Sequence, residues 1–111
     1  MPRLEFETTR DGMVAIVSPT GELDLSGATV LEAELERLGE DPELAAVVLD
    51  MRGLEFLDSS GLRLVVLADM RAREAGRRFA LVRGDETVHR VFEITRMSDR
   101  LDFVDSPEDV Q

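Results

Sequence analysis

The sequence contains an uninterrupted apolar run, LAAVVL at Leu44–Leu49, which limits the folds open to this chain. A strand with one solvated face alternates apolar and polar residues, whereas a run without alternation is typical of a strand covered on both faces. Strands of this kind occur in parallel sheets that have helices packed against them. Asp41-Pro42 precedes the run and forces a connection there. The run therefore predicts a buried strand of a parallel sheet.

Two β-rich segments near the start of the sequence flank a turn. Leu4–Thr8 alternates apolar and polar residues, and Met13–Val17 is rich in residues that favour strands. Arg10–Gly12 supplies the turn between them. We predict a hairpin here, with Pro19 to Gly21 breaking the pattern after it.

Helical spacing of apolar residues predicts the first helix over Ser26–Leu38, with Ser26 as its N-cap and Gly39 as its terminator. After the apolar run we predict a loop over Met51–Asp58. The remaining predicted elements are a helix from about Ser60 to Ala75 that Gly76 ends, a strand over Arg78–Val82, a helix from Thr87 to about Met97, a short strand over Leu101–Val104 and a helix start at Ser106–Glu108.

The predicted order is strand, strand, helix, strand, helix, strand, helix, strand. Such alternation indicates an α/β fold with a mostly parallel central sheet and right-handed crossovers. At 111 residues the chain has the size of one domain. We therefore expect a single domain over residues 1–111, with an N-terminal hairpin and three to four helices.

The net charge of −11 narrows the classes of partner. Nucleic acids and anionic membranes both attract basic surfaces, so neither is an expected partner. Residues 1–55 carry 13 acids and 4 arginines, which places most of the negative charge in the first half. An acidic surface there suits a basic protein partner, although acids also simply keep a domain soluble. Without cysteine, a signal peptide or a long apolar stretch, the chain is expected to be cytoplasmic.

A polar cluster, DSSG at Asp58–Gly61, stands between the predicted loop and the most apolar helix. Short polar side chains of this kind cap helices, because they accept hydrogen bonds from the free N–H groups of a first turn. A serine here could also be a nucleophile or the target of a modifying enzyme. Loops that lead from strand ends into helices are where α/β folds place their sites.

Catalysis by one of these serines lacks the residues that it requires. A catalytic serine needs a nearby base and an oxyanion site. His89 is the only histidine, and we predict it to be exposed or capping on the third helix. The surrounding residues do not form the glycine–x–serine–x–glycine elbow of hydrolases, and no nucleotide loop or metal-ligand spacing is present. We therefore expect no enzyme activity, no cofactor and no metal.

A serine that is modified by another enzyme must be accessible to that enzyme, and its modification must switch the protein between two states. It needs no catalytic partner within the chain. A serine at a helix N-terminus faces free N–H groups and the positive end of the helix dipole. A phosphate there would add about two negative charges beside Asp58 while leaving the fold intact. A partner docked over that helix end would then meet repulsion. From the residues alone, capping remains favoured over modification.

Two short segments, GELD at Gly21–Asp24 and DSSGL at Asp58–Leu62, stand at the ends of predicted strands. GELD follows the second strand, and DSSGL follows the third and opens the second helix. This pairing resembles the STAS domain family, and specifically the stand-alone anti-sigma factor antagonists of bacteria. The similarity runs along nearly the whole chain. It implies a STAS-like fold and a protein that works by reversible partner binding.

The resemblance also implies a switching mechanism. In that family the unmodified antagonist binds an anti-sigma factor that is also a serine kinase, and this binding frees the sigma factor. The kinase phosphorylates the first serine of the motif, which is Ser59 here, and a metal-dependent serine phosphatase reverses the modification. The residues implied to bind the partner are Asp24, Asp58, Ser60, Gly61 and Leu62, with Ser60 and Gly61 also capping the helix and letting the kinase approach closely.

Two alternatives remain open. STAS-type domains also serve as scaffold or interaction subunits of stress-signalling and lipid-transport assemblies. A small hydrolase or nucleotide-binding enzyme that uses Ser59 is the other alternative. A stand-alone antagonist is expected to be a monomer or weak dimer, whereas a scaffold subunit would form a large particle. For Asp24, a simple turn or cap role is also open.

Overall fold

The apolar run predicted to be a buried strand lies in the middle of a six-stranded sheet. The computed structural model describes residues 3–110. In it β3 (Ala46–Asp50) has all five of its residues buried. It pairs in parallel with β2 (Val14–Leu23) on one side and with β5 (Arg78–Val82) on the other. The prediction from LAAVVL is therefore confirmed.

The remaining strands are β1 (Leu4–Asp11), β4 (Gly53–Leu57) and β6 (Asp102–Val104). β1 pairs antiparallel with β2 and makes the predicted hairpin, while β6 pairs in parallel with β5. The strand order is β1-β2-β3-β5-β6, and β4 pairs in parallel with the C-terminal end of β2. The sheet is mostly parallel, as the alternation of elements predicts.

The helices are α1 (Leu25–Gly39), α2 (Ser59–Glu74) and α3 (Glu86–Ile94). Each begins directly after an aspartate in extended conformation whose side chain accepts a hydrogen bond from the first turn. The helix start predicted at Ser106–Glu108 is a single 3₁₀ turn over Pro107–Asp109. Residues 3–110 thus form the expected α/β fold, with three α-helices.

The predicted break at Pro19–Gly21 is wrong, because β2 continues to Leu23. Proline has no N–H to donate, so it interrupts a strand that is paired continuously on both sides. β2 changes its parallel partner at this point: it pairs with β3 as far as Val17 and with β4 from Thr20. Pro19 falls between these two partners, where that side of β2 has no paired residue.

The loop predicted over Met51–Asp58 is also wrong, since β4 occupies most of it. The segment does not alternate as a strand should, because its buried residues are Leu54 and Leu57. The register with β2 explains this spacing: Gly21 pairs with Leu54, but Glu22 pairs with Phe56. One residue is skipped in a bulge, and a bulge hides the period of two from sequence analysis.

Both faces of the sheet are covered. The helices pack on one face, where Leu31, Val65 and Phe92 are fully buried. The opposite face carries a smaller cluster that includes Val48, Ala80 and Val110, the residue directly after the C-terminal 3₁₀ turn. Alternate residues of the inner strands therefore point into two apolar layers, as expected for a run without polar positions.

We expect Gly61→Ala to lower the free energy of unfolding by about 1–2 kcal/mol, because α2 starts closely against the ends of β2 and β4. A Cβ at residue 61 would lie 2.9 Å from the carbonyl oxygen of Leu23 and 3.1 Å from Cγ of Leu57. The backbone carbonyl cannot move away without disturbing the sheet. Urea unfolding at equilibrium measures the change.

Gly39→Ala is the matched control, because a Cβ at residue 39 would meet no atom within 4 Å. Alanine there should leave the stability unchanged or raise it by up to about 1 kcal/mol through its higher helix propensity. Equal stability of the Gly61→Ala variant and the unmodified protein would contradict the close approach of α2.

Candidate functional site

The two segments singled out in the sequence lie together at one edge of the sheet. Leu23 at the end of β2 pairs with Leu57 at the end of β4. The next residues are Asp24 and Asp58, and the backbone N–H of Asp58 donates to the carbonyl of Leu23 over 3.4 Å. Helices α1 and α2 therefore start side by side, at the carboxyl ends of parallel strands where α/β folds place their sites.

Both helices are capped by an aspartate. The carboxylate of Asp24 accepts from the N–H of Gly27 at 3.0 Å. The carboxylate of Asp58 accepts from the N–H groups of Ser60 at 2.9 Å and Gly61 at 3.2 Å. Asp58 is thus a structural residue as well as a candidate for partner contact, since these bonds satisfy donors that the helix itself leaves free.

The caps predicted at Ser26 and Ser60 are therefore wrong. Both serines lie inside the first helical turn, two residues after the aspartate that caps it. A cap must have extended backbone so that its side chain can fold back over the turn, and Asp24 and Asp58 have that conformation. The helices simply begin earlier than the apolar spacing indicates.

A short internal repeat in the sequence indicates these caps, although the predictions above do not use it. LDLSG at Leu23–Gly27 and LDSSG at Leu57–Gly61 share leucine, aspartate, serine and glycine at the same positions. In both copies the leucine is buried and the glycine packs against a backbone carbonyl, that of Glu22 for Gly27. Two copies of one strand-to-helix junction therefore stand next to each other.

Ser59 and Leu25 occupy the equivalent position, the first residue of each helix. Ser59 is exposed, and in the part of the chain that the structure describes no group hydrogen-bonds its hydroxyl. Leu25 is 70% exposed. We call Asp24, Leu25, Asp58 and Ser59 the paired helix ends. They combine an accessible hydroxyl, two carboxylates and an exposed apolar side chain.

Of the other residues predicted to bind a partner, Gly61 is buried, Ser60 is half-buried and Leu62 is half-buried against the core. Gly61 lies beneath the helix start, against Leu23 and Leu57. Its role in the structure is to let α2 begin close to the sheet. Ser60 and Leu62 each keep part of their surface available.

The carboxylate of Asp24 is ionised at neutral pH. Its pKa lies below the ordinary value, chiefly because the N–H of Gly27 donates to it, with a further contribution from Arg3. A guanidinium nitrogen of Arg3 lies 3.6 Å from the carboxylate. The paired helix ends thus carry negative charge before any modification.

His89 is buried, so the prediction that it is exposed or capping is wrong. Only 5% of its surface is accessible, and its ring packs edge-on against Phe103 at 4.9 Å between centroids. Arg83 lies 2.9 Å from its Nε2, and an arginine can only donate, so Nδ1 carries the proton. Burial, with Arg83 nearby, lowers the pKa of His89, which keeps the ring neutral.

The capping residue of α3 is Asp85, whose carboxylate accepts from the N–H of Val88 at 3.0 Å. His89 follows Val88, which is fully buried, and stands three residues before Phe92. It therefore lies at the margin of the apolar face of α3, where a residue can be either buried or exposed. Its ring contacts Arg83, Phe92 and Phe103. These contacts do not place His89 as a base for Ser59 or Ser60.

Residues 3–110 contain neither a metal site nor a membrane-spanning helix. No three histidine or acidic side chains in that range converge in a way that could hold a metal ion. None of the helices in the same range combines the length and apolar character needed to cross a membrane.

Comparison with known proteins places this geometry in a family. The family model described as "STAS domain" matches residues 5–110. An anti-sigma factor antagonist from Mycobacterium paratuberculosis has a similar structure, with a TM-score of 0.83 and 23% identity over 96% of this chain and 89% of that chain. At such identity the likeness establishes the fold.

Two structures of SpoIIAA are also similar. The anti-sigma factor antagonist SpoIIAA in its unphosphorylated form aligns with a TM-score of 0.80 and 20% identity, over 95% of this chain and 91% of that chain. The Bacillus cell fate determinant SpoIIAA in its phosphorylated form aligns with a TM-score of 0.73 and 19% identity, over 95% of each chain.

We expect Asp58→Ala to lower the free energy of unfolding by about 1 kcal/mol, because two N–H groups of α2 lose their acceptor. Asp58→Asn should retain most of the stability, since asparagine caps helices as well as aspartate does. Urea unfolding of both variants checks this. Ser60→Ala is the control, and a loss as large as that of Asp58→Ala would show that Ser60 is the cap after all.

Proposed function

This chain belongs to the STAS domain family, and we propose that it acts there as an anti-sigma factor antagonist. It binds an anti-sigma factor that is also a serine kinase, and so releases a sigma factor. Phosphorylation of Ser59 by that kinase ends the binding, and a serine phosphatase restores it. Such a switch would operate in the cytoplasm and would need no enzyme activity of its own. The observation that carries the proposal is the exposed, unbonded hydroxyl of Ser59 at the start of α2.

The fold can accept a phosphate at Ser59 without rearranging. The side chain is exposed and makes no hydrogen bond in the described structure, so its modification breaks no contact. The N–H groups of Ser60 and Gly61 are already occupied by the carboxylate of Asp58. A phosphate would therefore stay outside the cap, directed to solvent and repelled by Asp58.

The same arrangement makes the phosphate costly for a docked partner. It adds about two negative charges to a surface that already carries Asp24 and Asp58. A partner complementary to the unmodified surface would have to bury those charges without matching donors, and unpaired buried charge weakens binding strongly. Leu25, the first residue of α1, is 70% exposed and supplies apolar area for a partner to cover.

The solved forms of SpoIIAA support this proposal. That protein has been solved unphosphorylated and phosphorylated, and both structures align with this chain over 95% of its length. A fold of this kind is therefore compatible with both states. The acidic first half of the sequence also suits a partner with a basic surface.

The proposal includes a monomer or weak dimer in solution. Size-exclusion chromatography with light scattering measures the mass of the particle. A large particle would favour the alternative role as a scaffold subunit of a stress-signalling or lipid-transport assembly.

We expect Ser59→Asp to bind the cognate anti-sigma kinase at least about tenfold more weakly than the unmodified protein, since the new charge meets the docked partner. Ser59→Ala should bind normally and resist release by ATP. Isothermal titration with the purified kinase measures both affinities, and intact mass after incubation with ATP counts the phosphates.

Ser60→Ala is the matched control, because it removes the neighbouring hydroxyl and leaves Ser59 in place. It should still accept one phosphate, whereas Ser59→Ala should accept none. Ser59→Asp binding as tightly as the unmodified protein, with an unchanged urea unfolding curve, would refute the switch.

A further inference from the structure

A groove lies between α1 and α2 in their C-terminal halves, away from the paired helix ends. Its volume is about 410 Å³, which is within the range of small-molecule sites. The floor is apolar and is formed by Leu35, Val47, Leu64 and Phe79. The α2 wall is lined by small residues, Ala68, Ala72 and Ala75, so that neither helix fills the space between them.

The rim of the groove is charged on both sides, but its arginines already have partners. Arg77 donates to the backbone carbonyls of Leu38 and Asp41. Arg78 pairs with Asp102 at 2.7 Å. Arg71 pairs with Glu36 across the groove at 3.4 Å, which joins α2 to α1. Of these three arginines, Arg77 alone has no carboxylate within ion-pair distance in residues 3–110, so one positive charge on the rim remains unpaired.

The glutamates of the α1 wall are less engaged. Glu32 and Glu40 line the groove on either side of Glu36, and neither has an ion-pair or side-chain hydrogen-bond partner in residues 3–110. Glu40 is the C-cap residue of α1, and the helix dipole disfavours a carboxylate at that end of a helix. Two unpaired carboxylates against the one unpaired guanidinium of Arg77 leave the groove with a net negative charge.

We propose that this groove binds a small amphipathic cation, namely an aliphatic amine. Its hydrocarbon chain would cover the floor, and its ammonium group would lie against Glu32 or Glu40. Charge complementarity selects this occupant: a fatty acid would face the same carboxylates, and a second copy of the chain would bring another acidic surface of a protein with net charge −11. The inference is independent of the proposed function, because it concerns a different surface.

Titration with a series of alkylamines tests the proposal, with hexylamine, octylamine and decylamine each kept below the concentration at which it forms micelles. Calorimetry and amide chemical shifts give the affinity and its location. We expect each methylene to raise the affinity by about fourfold until the groove is full. Octanol and octanoate have the same tail with different head groups, and they should bind more weakly than octylamine, octanoate the most weakly.

Two variants distinguish the contribution of the hydrocarbon chain of the amine from that of its ammonium group. Ala72→Leu fills the α2 wall and should abolish binding of octylamine and octanol alike. Glu32→Gln combined with Glu40→Gln should weaken octylamine binding by about threefold to tenfold and leave octanol unchanged. Glu74 is exposed on α2 and does not line the groove. Glu74→Gln removes the same charge as Glu32→Gln or Glu40→Gln does singly, so it is the matched control and should leave octylamine binding unchanged.

The glutamate variants change exposed or half-exposed side chains, so they test the site even if Ala72→Leu fails to fold. Octanoate binding as well as octylamine, or equal binding of octylamine to the double glutamine variant, would overturn the proposal. The proposal would also be overturned if the protein bound no amine and formed a dimer that Ala72→Leu disrupts. A second copy of the chain would then be the occupant of the groove.

Discussion

β2 and β4 end side by side, with Leu23 paired to Leu57 and the N–H of Asp58 bonded to the carbonyl of Leu23. Because the strands are parallel, the chain leaves both in the same direction, and two helices begin at one edge of the sheet. Gly27 and Gly61 let these helices start close to the strand ends, where a side chain would collide with a carbonyl. The position of every residue in the paired helix ends depends on this strand pairing.

At the start of α2, the residue that caps the helix is not the residue proposed to act as the switch. Two of the free N–H groups at the start of α2 bond to the carboxylate of Asp58, so the helix does not rely on the neighbouring hydroxyl. Ser59 is therefore accessible and has no structural task, and a residue without one can change its charge at little cost to the fold. In the proposed switch, stability and signalling are assigned to adjacent residues. That is why substitutions at Asp58 and Ser59 should have different physical consequences.

Much of this structure could be predicted because many segments have patterns set by burial alone. The hairpin, the buried run at Leu44–Leu49 and the apolar spacing of the helices all follow from which side chains face the core. The break predicted at Pro19–Gly21 and the loop predicted over Met51–Asp58 were wrong because pairing with a neighbouring strand changed the sequence pattern expected of a strand. Pro19 is tolerated because β2 changes partner there, and the period of β4 is hidden because Glu55 is skipped in a bulge. The caps were misplaced for a similar reason, since they depend on where the backbone turns from extended to helical.

The order and type of most elements, the α/β class and the two segments that contain the site follow from the sequence alone, because hydrophobic period and runs of short polar residues are local properties. Three features emerge only from the folded chain: these segments are neighbours, His89 packs against Phe92 and Phe103, and α1 and α2 leave a groove between them. Those outcomes depend on strand register and on how helices of given side-chain size pack. Both are set by contacts between residues far apart in the chain, which no local pattern records.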